Sequence, residues 1–243
     1  MPTLSLVTKS SLSKSKLTVI TTFALLLSAC NDNNNDDPVV VTPAPVEYSY
    51  TVTVTNLTYS QPLSPLGVIL HSDNKMWMVG EASSLALEDL AESGDNTAFL
   101  ADSNAIASNS SEGVILPGTM STVSISTTDR MATFFTAATM LVNTNDAFSG
   151  LTGIDISTMA VDGTKSWNLN VYDAGTELNS EAAGTIPGPA DGGTGFDATR
   201  DDVDFVGYHS GVVSQDDGLS SSVLTQAHRF DNPAIKLTIT RTQ

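Results

Sequence analysis

Two short runs carry the residues best suited to chemistry in this chain: Thr144-Asn145-Asp146-Ala147-Phe148-Ser149-Gly150 and Val171-Tyr172-Asp173-Ala174-Gly175-Thr176-Glu177. Each adjoins an apolar, strand-like stretch and offers carboxylates among small residues. End loops of a β-sandwich hold hard cations in this way, because Ca²⁺ takes about six to eight oxygen ligands at about 2.3–2.6 Å and carboxylates supply both oxygens and charge. Asp146, Asp173 and Glu177 are therefore read as one calcium site. Gly175 lets the backbone turn between Asp173 and Glu177, and backbone carbonyls and water complete the shell. The plainer alternative is that Asp173 caps a turn and Asp146 faces solvent.

The other acidic loops are weaker candidates. Gly192-Gly193-Thr194-Gly195-Phe196-Asp197-Ala198 fits one unit of a calcium-binding nonapeptide repeat, but such units bind by stacking and this one stands alone. Asp201, Asp202 and Asp204, and the run Asp216-Asp217-Gly218, read as solvated turns before they read as second cation sites. Catalytic patterns are absent from the sequence: His71, His209 and His228 form no H-E-x-x-H pair, and there is no G-x-S-x-G elbow. His209-Ser210 are chain neighbours, whose side chains on a strand point apart. The reading is a protein that is not an enzyme. Trp77 and Trp167 could serve as sugar platforms, but both sit in apolar runs that favour core packing.

The elements that must position these residues read as strands. Tyr48, Tyr50, Val52 and Val54 alternate with Ser49, Thr51, Thr53 and Thr55, giving one apolar and one hydroxylated face. Further strands are expected at Gly67 to His71, Lys75 to Val79, Gly113 to Leu116, Thr119 to Thr127, Met131 to Val142, Ser166 to Tyr172 and Ala234 to Arg241. Met131 to Val142 is apolar or small on both alternations and belongs centrally in a sheet. Ser84 caps one expected helix, Leu85 to Glu92, with Leu87, Leu90 and Ala91 inward and Gly94 as its stop. The expected fold is all-β: an antiparallel sandwich of about eight strands with one short helix.

The start of the chain reads as a secretion signal. Lys9, Lys14 and Lys16 precede the apolar stretch Leu17 to Leu27, and Leu27-Ser28-Ala29-Cys30 places small residues before the only cysteine. This arrangement resembles that of bacterial lipoproteins, which implies cleavage before Cys30, a diacylglycerol on its thiol and an acylated amino terminus. Several acyl chains anchor stably, each buried CH₂ contributing about 0.8 kcal/mol. Asn31, where an aspartate would favour the inner membrane, points to the outer membrane of a bacterial envelope. Residues 1–29 are thus the signal, 30–47 the lipidated cysteine with an acidic and proline-bearing tether, and 48–243 the folded domain.

The chain of 243 residues carries 10 basic and 27 acidic side chains. With three lysines in the signal, seven bases face 27 acids, a net −20 after cleavage. That balance excludes nucleic acid as a partner and disfavours direct adhesion to anionic lipid. A lone cysteine offers no internal disulfide, so the core must stabilise the fold.

The runs N-T-N-D-A-F-S-G and Y-D-A-G-T-E resemble the paired signatures of the spondin N-terminal domain family, close to P-S-P-D-W-F-V-G and W-D-A-G-T-D-S-G in animal members. The resemblance extends through Gly80-Glu81-Ala82-Ser83, Leu90-Ala91-Glu92-Ser93-Gly94 and the closing Asn232 to Arg241, about residues 48 to 243 in all. The chain departs from the pattern at Asn145, Ala147 and Glu177, where proline, tryptophan and aspartate are usual. The resemblance implies a C2-like sandwich of eight strands, metal ligands at Asp146, Asp173 and Glu177, and adhesion or matrix attachment through a protein or glycan partner. A carbohydrate-binding module is the alternative, and a hydrolase the third reading.

Overall fold

The alternation at the start of the domain becomes β1 (Tyr48–Asn56), whose Tyr50, Val52 and Val54 are buried while the intervening threonines are half-exposed. In the computed structural model, which describes residues 43–72 and 75–243, β1 lies between β4 (Met120–Thr127) and β10 (Ile235–Arg241). β7 (Thr164–Leu169) completes a four-stranded sheet in the order β4-β1-β10-β7, with every pair antiparallel. Its outer face is a hydroxyl array, tied across strands by Thr53 to Thr122 at 3.0 Å, Ser166 to Thr238 at 2.8 Å and Thr164 to Thr240 at 2.9 Å.

The second sheet has six strands: β3 (Ala105–Ser110), β2 (Gly67–His71), β5 (Phe134–Met140), β6 (Ala147–Asp155), β8 (Val171–Asp173) and β9 (Gly207–Tyr208), in that order. Its central strands are covered on both faces. Val68, Leu70, Phe135, Ala137 and Ala147 point into the core shared with the first sheet, whereas Ile69, Ala138 and Phe148 point the other way. That second face is closed by α1 (Leu85–Ser93), through Leu87, Leu90 and Ala91, and by Trp77. Two-sided burial is why Met131 to Val142 showed no polar alternation.

The all-β sandwich is borne out, with ten strands among the described residues in place of about eight. The expected strand Ser166 to Tyr172 proves to be two. β7 and β8 are separated by Asn170 and belong to different sheets, so the chain crosses between layers there. Lys75 to Val79 is not a strand. The Met76 N–H donates to Thr152 Oγ1 at 2.7 Å, and Trp77, 6 % exposed, packs edge-on against Phe148 with centroids 5.2 Å apart. A ring anchored in the outer core holds this segment against the sheet without a ladder. Gly113 to Leu116 forms only a bridge, Ile115 with Leu63. β3, β6 and β9 were not expected, and neither was α2 (Thr97–Leu100). Residues 1–42, including Cys30 and the expected signal, lie outside the described residues. Among the described residues no helix is long and apolar enough to cross a membrane.

α1 begins and ends as its caps dictate. Ser84 accepts the Leu87 N–H at 3.2 Å, and Gly94 adopts the left-handed conformation at φ 76°. Replacing Ser84 by alanine removes that cap and is expected to lower stability by about 1 kcal/mol. Urea unfolding of the variant beside the parent checks this value.

Candidate metal centre

Asp146 closes the turn between β5 and β6. Thr144 Oγ1 donates to the Leu141 carbonyl at 2.6 Å and accepts the Ala147 N–H at 3.1 Å, which winds the turn tightly. Asp146 is left at the start of β6, opposite the end of β8, where Ala147 pairs with Asp173. Its side chain is 0 % exposed. Oδ2 accepts the backbone N–H groups of Thr176 at 2.9 Å and Glu177 at 3.2 Å, with the Thr176 hydroxyl at 3.3 Å. Oδ1 has no partner.

The second run curls back because of Gly175. Its φ is +73°, and a Cβ there would lie 2.2 Å from the Phe205 carbonyl oxygen, so no other residue fits without displacing that backbone. The curl brings Glu177 beside Asp146 and Asn145. Glu177 Oε2 and Asn145 Oδ1 are buried without partners, as is Oε1 of Glu92 from the last turn of α1. Glu92 Oε2 accepts the Asp197 N–H at 2.9 Å, and the Thr176 hydroxyl stands between Glu92 and Asp146. Asp146, Glu177 and Glu92 thus each keep one buried oxygen without a partner, as does Glu88 one turn earlier on α1.

The electrostatics agree with that geometry. Burial, followed by the charge of Asp173, pushes the Asp146 carboxyl up to about 7. Burial, then the charges of Glu92, Asp146 and Asp201, pushes Glu177 up to about 8. Glu92 is raised as well, chiefly by burial. It also sits at a helix C-terminus, where the backbone dipole disfavours negative charge. The neighbouring Glu88 is neutralised by Arg200, whose guanidinium also donates to the Ser83 carbonyl at 3.0 Å and to Asp204.

The structure brings Asp146 and Glu177 together and sets Asp173 alongside. Both oxygens of Asp173 already serve the loop: Oδ1 accepts the Gly175 N–H at 2.8 Å and Oδ2 the Asn179 amide at 2.6 Å. Asn179 is held in turn by His209 Nε2 at 2.9 Å. His209 Nδ1 accepts the Gly211 N–H at 2.9 Å, which leaves the proton on Nε2, and burial pushes this imidazole down. Among the described residues no three His, Cys, Asp or Glu side chains stand in a ready-made ligand cage. Asp201 accepts the Leu178 N–H at 2.9 Å and Asp204 pairs with Arg200, so Asp201, Asp202 and Asp204 do not gather round one point. Asp217 caps Ser214 and pairs with Arg229, and Asp197 closes a turn onto Thr199.

Glu92 and Asn145 are the members that spacing alone did not reveal. The available signal was Glu88 and Glu92, like charges four residues apart beside the apolar stripe of Leu87, Leu90 and Ala91. Such a pair is unfavourable on a helix unless something opposite compensates. No family model matches this chain, and no curated protein matches it.

Both strongly shifted carboxyls have folded-state values above their ordinary range, so their contribution to stability is complete below about pH 4 and is lost as pH rises through about 7 to 8. In chelator, the melting midpoint is expected to fall between pH 5 and pH 9. Asp146→Asn and Glu177→Gln should each flatten that slope. A parent profile as flat as that of the variants would contradict the assignment.

Proposed function

We propose that this protein is a surface-anchored, calcium-binding β-sandwich module with an interaction role in adhesion or matrix attachment. The observation that carries the reading is the set of buried, unpartnered oxygens on Asp146, Glu177, Glu92 and Asn145, in a region where burial and like charge oppose ionisation of the carboxyls. A divalent cation is the simplest partner for such oxygens: hard, oxygen-seeking and doubly charged. The resemblance to the spondin N-terminal family supports the same ion at Asp146, Asp173 and Glu177.

In this reading Asp146 and Glu177 supply carboxylate ligands. Glu92 approaches from α1, and Asp173 holds the Gly175 curl in place while adding negative potential. The glutamate stems turn inward once the ion screens their repulsion. Because the ion binds groups that are otherwise partly protonated, it displaces protons and binds more tightly as pH rises. The anchor part of the proposal rests on Cys30 and the residues before it. A lipid at that cysteine and a tether to about residue 47 would hold the acidic domain at the outer membrane surface.

Calcium that binds only the folded chain raises its stability by about 2.7 kcal/mol when present at about a hundred times its dissociation constant. For a domain of this size that is a midpoint increase of about 5–10 °C. Melts in millimolar calcium and in chelator should differ by this amount at pH 7.5, and Asp146→Ala should remove the difference. Identical parent melts would leave the proposal without its ion.

A further inference from the structure

At the same end of the sandwich, the segment joining β1 to β2 is pinned by buried side chains. Asn56 Nδ2 donates to the carbonyls of Gln61 at 2.8 Å and Ile115 at 3.1 Å, while its Oδ1 accepts the Thr58 N–H at 3.0 Å and hydroxyl at 2.7 Å. Gln61 Nε2 donates to the carbonyls of Asn143 at 3.2 Å and His228 at 2.8 Å, and its Oε1 accepts the Asn143 N–H at 3.2 Å. Asn56 and Gln61 are 0 % exposed. A loop fixed at so many points cannot fold its tip inward, and the tip is Tyr59, 82 % exposed. The fixed backbone on either side presents an aromatic ring open to solvent. It is preorganised for a ligand that stacks.

Tyr59 borders a recess of about 450 Å³ whose other walls are Gln226, Ala227, Arg229, Phe230 and Asp231. That volume lies within the range of small-ligand sites, about 300–1,000 Å³. Phe230 is packed against the interior and His209, so it forms a fixed apolar floor. Arg229 Nη1 is tied to Asp217 Oδ1 at 2.7 Å, which neutralises its charge and fixes the guanidinium while other N–H groups remain to donate. Asp231 and the Gln226 amide supply acceptors and further donors. With Arg229 balanced by Asp217 and Asp231 adding negative potential, the recess disfavours anions, and its aromatic face beside donors and acceptors suits a polyhydroxylated ligand that is flat on one side.

We infer that this recess is a subsite for neutral saccharides, in which one sugar ring stacks on Tyr59 and its hydroxyls bond to Arg229, Asp231 and Gln226. Trp77 and Trp167, the platforms expected from sequence, do not take this part. Trp77 lies in the outer core, and Trp167 packs half-buried against the inner one. The inference rests on the interaction role proposed above and names its partner class, but it does not require the ion.

The test is a glycan array of immobilised neutral and acidic oligosaccharides probed with the purified chain, followed by titration of the strongest neutral probe. Binding to neutral oligosaccharides is expected. Tyr59→Ala and Arg229→Gln should each weaken it at least tenfold, while Tyr59→Phe retains it. The melting midpoint and its calcium-induced rise should be unchanged in all three variants, so a failed sugar site and a failed ion site give different results. No neutral oligosaccharide above background, binding confined to acidic oligosaccharides, or undiminished binding by Tyr59→Ala would overturn the inference.

Discussion

Buried negative charge is the constraint around which one end of this sandwich is arranged. Taking a carboxylate out of water costs several kcal/mol unless hydrogen bonds or an opposite charge compensate. The chain meets that cost in two ways. At Glu88 it supplies Arg200. At Asp146 it supplies two backbone N–H groups and a hydroxyl, all to one oxygen, and leaves the other without a partner. Glu88 is paired with Arg200 through Oε2, while its Oε1 stays buried without a partner. At Asp146, among the described residues, no basic side chain forms an ion pair with the carboxyl, so hydrogen bonds to Oδ2 alone compensate its burial.

The rest of the fold holds these carboxyls in place. β5 and β6 are buried on both faces, so the turn that carries Asp146 is held by two cores and has little freedom to relax away from its neighbours. α1 packs on the outer face of the same sheet and delivers Glu92 from its last turn. The crossing at Asn170 moves the chain from one sheet to the other just before Asp173, so the Gly175 curl emerges from β8, directly beside β6. The Gln61 side chain then ties the neighbouring loop to Asn143, so both proposed binding features share one frame.

Much of this was legible in the residues, for reasons that are physical. Strong alternation marked β1, continuous apolar character marked β5, and Ser84 and Gly94 marked the ends of α1. Each signal is local and survives whatever packs around it. The break at Asn170 was not legible because β7 and β8 read as one run, and only the layer that each pairs with tells them apart. The segment around Trp77 carried the residue types of a strand but is held by its ring. For the site, the Gly175 curl sets the Glu177 backbone N–H on Asp146 Oδ2, whereas Glu92 enters through tertiary packing of a helix. Asp173 shows how a carboxylate in the right run can be engaged by its own loop, through Gly175 and Asn179.

Calorimetric titration of the chelator-treated protein with calcium, in two buffers of different ionisation enthalpy, tests the central claim most directly. The account predicts one calcium per chain, with release of about one proton at pH 7 as Asp146 and Glu177 exchange protons for the ion, declining towards none well above pH 8. Absence of binding, or binding with no proton release at pH 7, would contradict it.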